Sequence, residues 1–83
     1  MTTRERQRPL LQDHAELRRR RLLAGMSQAA LARQAGIGVS HASLIESGRR
    51  SAGVELLGRL AGVLGCEVGD LMAPEALQGV SRP

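Results

Sequence analysis

Arginine dominates the reactive side chains of this sequence: all twelve basic residues are Arg and none is Lys, against eight acids, for a net charge of +4. A guanidinium keeps its proton and presents a planar fork of donors, so it suits holding oxyanions better than moving protons. Ten of the twelve lie within residues 1–50 beside four acids, whereas residues 51–83 hold two against four. That segregation points to a polyanion-binding face, with a merely solvated Arg-rich helix as the alternative. Other reactive types are sparse. His14 and His41 lack companions at metal-ligand spacing, and the lone Cys66 can complete neither an internal disulfide nor a zinc set. No Ser-His-Asp, Cys-His or paired-carboxylate constellation can be assembled, so no catalytic residue, metal or cofactor is expected. With no Phe, Tyr or Trp, readers of single strands that stack bases on aromatic platforms are disfavoured.

Eighty-three residues correspond to one small domain, which rules out a two-domain enzyme and disfavours deep substrate pockets. The apolar runs fall well short of a membrane span, and the Arg-bearing N-terminus has no apolar stretch behind it. The expectation is a cytoplasmic, nucleoid-associated protein with no membrane partner, to which a single cysteine is suited.

The elements follow from caps and spacing. Residues 1–12 are polar, basic and interrupted by Pro9, and read as a flexible arm. A first helix is predicted from Asp13 to Ala24, stopped at Gly25; a second spans Gln28 to Ala35 behind the N-cap Ser27; a third spans Val39 to Ser47 before Gly48. Val54, Leu57, Leu60, Ala61 and Leu64 fall at helical spacing between Gly53 and Gly65, giving a fourth. A fifth is predicted over Glu67 to Met72, stopped by Pro74, with 73–83 a frayed C-terminal tail. The fold class is therefore all-α, a compact bundle of five short helices over residues 13–72.

Within it, residues 28–47 form two short helices around a turn containing Gly36 and Gly38. Ala32 stands where a crossing helix would collide with anything larger, Gly36 permits a sharp turn, Ile37 plugs that turn into the core, and Ala42 with Ile45 forms an inward stripe. The other face of the third helix, Val39, Ser40, Ser43, Leu44 and Ser47, stays outside.

From Leu17 to Met72 the sequence resembles the helix-turn-helix family of the Cro and lambda repressors, the XRE family. The resemblance is carried by Arg21, Ser27-Gln28, Leu31-Ala32, Gly36, Ile37, Ile45-Glu46, Gly48, Leu60-Ala61, Leu64-Gly65 and Asp70-Leu71. It implies a lambda-repressor-like bundle whose third helix enters the major groove of double-stranded DNA. On the matching positions, Val39, Ser40, Ser43 and Leu44 would face base edges. Ser27 and Gln28 at the start of the second helix, with Ser47, Arg49 and Arg50 after the third, would hold phosphates. His41 reads as a phosphate or base-edge neighbour, or as merely exposed. The family also pairs the residues at positions 21 and 46, so Arg21 and Glu46 are expected to form a partly buried ion pair, with an Arg21 that points at phosphate as the alternative.

Two departures from the family pattern stand out. Val39 offers only apolar contact where an amide or Arg is common, so recognition would lean on the serines, on DNA shape and on the arm, whose Arg4, Arg6 and Arg8 suit a narrow minor groove unless the arm is an inert tail. Gly58 and Gly62 also weaken the fourth helix and leave a smooth stripe for a close neighbour, or are simply tolerated. The function expected is a sequence-specific transcriptional regulator, a repressor, binding an inverted repeat as a homodimer. Its dimer surface would be Val63, Val68, Leu71 and Met72, extended by Leu77 and Val80, unless Val68 and Leu71 only complete the monomer core. The alternative is an antitoxin or adaptor whose main partner is a protein, such as a toxin or the transcription machinery.

Overall fold

The computed structural model describes residues 10–80. The first helix, α1 (His14–Leu23), starts where the Asp13 side chain accepts from the Glu16 backbone N–H at 3.1 Å, satisfying one of the donors that a helix start leaves open. The second, α2 (Gln28–Ala35), is capped by Ser27, whose Oγ accepts from Ala30 N at 3.0 Å, and stops at Gly36 with φ +76°. The third, α3 (Val39–Glu46), follows the extended Gly38. The fourth, α4 (Val54–Leu64), buries Leu56, Leu57, Leu60 and Ala61.

These helices meet in one core. Leu17 from α1, Leu31 from α2, Ile45 from α3 and Leu57 with Leu60 from α4 are all essentially inaccessible. Ala32, 1% exposed, lies in the middle of α2, where a small side chain allows close helix approach. Ile37 packs half-buried against the same cluster and donates its N–H to Ala32 O at 2.9 Å.

The C-terminal part differs from the sequence reading. The fifth helix expected over Glu67–Met72 is a short 3-10 turn, Val68–Leu71, whose entry is tied by Glu67 N donating to Asp70 Oδ2 at 2.9 Å. Pro74 opens a helix rather than closing one, so the expected frayed tail gives way to α5 (Pro74–Val80). Proline is at home in the first helical position, where its missing N–H has no intrahelical acceptor to serve. The described residues thus hold five α-helices and no strand beyond an isolated antiparallel bridge between Gln12 and Met72.

That bridge moves the boundary of the arm. Residues 10–12 lie against the bundle, with Asp13 N donating to Leu71 O and Ala73 N to Leu11 O, each at 2.8 Å. Gln12 is 1% exposed. Arg4, Arg6 and Arg8 fall outside the described residues, as does the side chain of Val80.

Candidate nucleic-acid interface

Helix α3 is polarised by its own periodicity. Ala42, Ile45 and Glu46 turn inward, while Val39, at 49% exposure, Ser40, Ser43 and Ser47 face solvent and His41 and Leu44 are half-buried at the edges. The hydroxyls of Ser40 and Ser43 make no hydrogen bond among the described residues, so both can donate or accept. The hydroxyl of Ser47 already donates to Leu44 O at 3.2 Å; it can meet a phosphate as a donor only by leaving that carbonyl.

Beneath this face lies an ion pair. Arg21 Nε donates to Glu46 Oε2 at 2.6 Å and its Nη2 to Oε1 at 3.1 Å, with the residues 8% and 5% exposed. A third donor, Nη1, reaches Met26 O at 2.8 Å, so the guanidinium is committed to the interior. Gln28 Nε2 donates to the same carboxylate at 3.2 Å, which anchors the start of α2 to the end of α3. One amide hydrogen of Gln28 is left for a phosphate. Ser27 Oγ, already an acceptor in its cap, retains its O–H as a donor.

The loop after α3 carries exposed Arg49 and Arg50, whose backbone N–H groups both return to Leu44 O, at 2.9 and 3.2 Å. The buried Gln12 fixes this loop from below: its Nε2 donates to Ile45 O at 3.0 Å and Arg50 O at 2.9 Å, and its Oε1 accepts from Ala52 N at 3.0 Å. His14 Nδ1 donates to Glu46 O at 3.2 Å, the tautomer fixed by a carbonyl that can only accept. Arg59 Nη1 donates to Ala35 O at 3.1 Å and closes the end of α2. Sequence reasoning passed over Gln12 and Arg59, and saw His14 only as a failed metal ligand. The one trace of Gln12's role was the Leu10-Leu11 pair before it, an apolar step in an otherwise polar stretch.

Leu71, expected on a dimer surface, is 0% exposed and forms part of the core; this is a correction, because a side chain already enclosed has no area left to bury. Val63, Val68 and Met72 are half-buried against the same cluster, and Leu77 on α5 is exposed. Cys66 is half-buried after α4, and burial pushes its thiol pKa up, with Arg20 pulling the other way. The hydrogen bond to Glu16 raises the pKa of Arg20.

The helix-turn-helix family model HTH_3 matches residues 17–71, about two thirds of the chain. The chain belongs to the helix-turn-helix family of XRE type. Among solved structures, this helix-turn-helix protein is similar to the clp gene regulator ClgR from Corynebacterium glutamicum, at 32% identity and a TM-score of 0.67 over 69% of this chain and 61% of that one. A second ClgR structure aligns over 90% of this chain and 97% of its own, at 28% identity and a TM-score of 0.69. The hydroxypropylphosphonic acid epoxidase of S. wedmorenis aligns at 34% identity and a TM-score of 0.67 over 74% of this chain but only 32% of its own. The chain thus spans about three fifths of the first ClgR chain and about a third of the epoxidase. The SinR/SinI complex shares the fold, with a TM-score of 0.70 at 24% identity over 78% of this chain and 64% of that one. No curated protein matches the chain. Among the described residues, no helix is long and apolar enough to cross a membrane.

Proposed function

We propose that this protein is a DNA-binding transcriptional regulator that lays α3 in the major groove and acts as a repressor by occupying its operator. The observation that carries the reading is the outward face of α3, where Val39, Ser40 and Ser43 project beside the exposed Arg49 and Arg50 on a loop pinned from within. Val39 offers a surface for a thymine methyl, the serines and the half-buried Leu44 complete the base-facing set, and Ser27, Gln28, His41, Ser47 and the two arginines hold phosphates around it. The similarity to ClgR, a gene regulator, supports the same direction.

One such helix buries little surface, so the operator is an inverted repeat read by a homodimer, with recognition helices roughly 34 to 36 Å apart. The half-buried Val63, Val68 and Met72 are the proposed contact. Arg4, Arg6 and Arg8 are proposed to enter the adjacent minor groove, because the arm's root is tied to the arginine loop by Leu11 N donating to Ser51 Oγ at 3.2 Å. A second reading, a module whose main partner is a protein, is favoured by Leu22 and Leu23, 54% and 71% exposed side by side on α1.

The test is selection of bound fragments from random duplex DNA by the full chain at two salt concentrations. An enriched inverted repeat is expected, and Ser40→Ala and Leu44→Ala should change the selected bases. Absence of any enriched sequence at low salt would sink the reading, and unchanged preferences in both variants would remove these residues from base recognition.

A further inference from the structure

Four arginines follow one another in α1, and the structure gives them unequal work. Arg19 Nη1 and Arg20 Nε both donate to Glu16 Oε2, at 3.0 and 2.7 Å. Arg21 is taken up by Glu46 and Met26 O. Arg18 alone of the four has no carboxylate or carbonyl partner among the described residues, and it is exposed. It lines a shallow depression together with Gln28, Ser43, Glu46 and Ser47. Gln28, Ser43 and Ser47 are groups assigned above to DNA. The one acid in that depression is already neutralised by Arg21, so the guanidinium of Arg18 sets the sign of the potential there.

We infer that Arg18 is a phosphate ligand, and that the DNA-binding surface extends from α2 and α3 onto α1. The proposal rests on the DNA reading above and deepens it. An exposed guanidinium beside an amide and two hydroxyls makes a polar wall for the sugar-phosphate strand that borders the groove entered by α3. Beside Arg18, a phosphate there can accept from the second amide hydrogen of Gln28, from the Ser43 hydroxyl and from that of Ser47 once it leaves Leu44 O, while the Glu46 carboxylate is engaged by Arg21 and Gln28. Arg18 would fix the register of the duplex and carry no base information. The neighbouring Leu22 and Leu23 do not compete for this role, having no polar group to offer a phosphate.

The experiment titrates the full-length protein against a duplex that the wild type has been shown to bind, between 50 and 200 mM salt. Each phosphate contact contributes about 0.9 to the slope of log K against log salt. Arg18→Ala should therefore flatten the slope by about one, and its affinity deficit should shrink about threefold across that fourfold salt range. Arg18→Lys should restore most of the slope, and selected base preferences should stay those of the wild type. Arg19→Ala, which removes an equal charge already facing Glu16, should leave the slope nearly unchanged. An unaltered slope in Arg18→Ala, or equal flattening in both alanine variants, overturns the assignment while wild-type binding leaves the DNA reading standing. A wild type that binds no duplex overturns both.

Discussion

Glu46 ends α3 at 5% exposure, in surroundings where an ionised carboxylate persists only if donors replace the water it has lost. Arg21 supplies two and Gln28 a third. The pair therefore costs desolvation that its own geometry repays, and the penalty for splitting it far exceeds its net worth. Glu46→Ala should destabilise the fold by about 3 to 5 kcal/mol, and Arg21→Ala by a similar amount. The double change Arg21→Ala with Glu46→Ala should lose much less than the sum, because no buried charge is left alone. Urea unfolding at fixed pH measures all three, and simple additivity would mean that the charges are not coupled. This pair was legible only through the family pattern, since nothing in residues 21 and 46 by themselves says that they meet. For Gln12 the Leu10-Leu11 step hinted at burial, but its contacts were not legible: they are three backbone groups from Ile45, Arg50 and Ala52, which lie 33 to 40 positions away.

The helices themselves could be read because caps and spacing are local. Ser27, Gly36, Gly48 and Gly65 mark ends in the sequence and serve as caps or turn residues in the structure. Pro74 misled because a proline can stop one helix or open another, and here it opens α5. The glycines divide by what surrounds them, and so should their substitutions. At Gly48, φ is +78° and an added Cβ would lie 2.7 Å from His14 Cδ2; Gly48→Ala should cost well over the ~1 to 2 kcal/mol of a left-handed alanine alone. At Gly62, inside α4, nothing lies within 4 Å, so Gly62→Ala should stabilise by up to ~1 kcal/mol. Thermal unfolding of the two variants should move in opposite directions. A destabilised Gly62→Ala whose loss depends on protein concentration would instead place a second subunit against that stripe.

At the scale of the molecule, the charge asymmetry of the sequence becomes a division of surfaces. Exposed Arg18, Arg49 and Arg50 lie with the face of α3, and the C-terminal part, which carries Glu67, Asp70 and Glu75, holds the proposed dimer contact. Placing the subunit contact there keeps the basic faces of two copies apart and leaves both free for one duplex. Two copies related by a two-fold axis then present their α3 helices to the same side of the DNA only if the half-sites are separated by whole helical turns. Inserting five base pairs between the half-sites turns one of them to the far side of the duplex, whereas inserting ten restores the phase at a greater distance. For a rigid dimer the first insertion should reduce affinity to that of a single half-site. The second should do so as well, because a contact made through packed side chains such as Met72 cannot stretch by a turn of about 34 Å. Recovery with ten inserted base pairs but not with five would indicate a dimer contact flexible enough to span an extra helical turn, and would overturn the rigid packed contact. Equal affinity at every spacing would remove the inverted repeat from the proposal and leave a single subunit reading a single site.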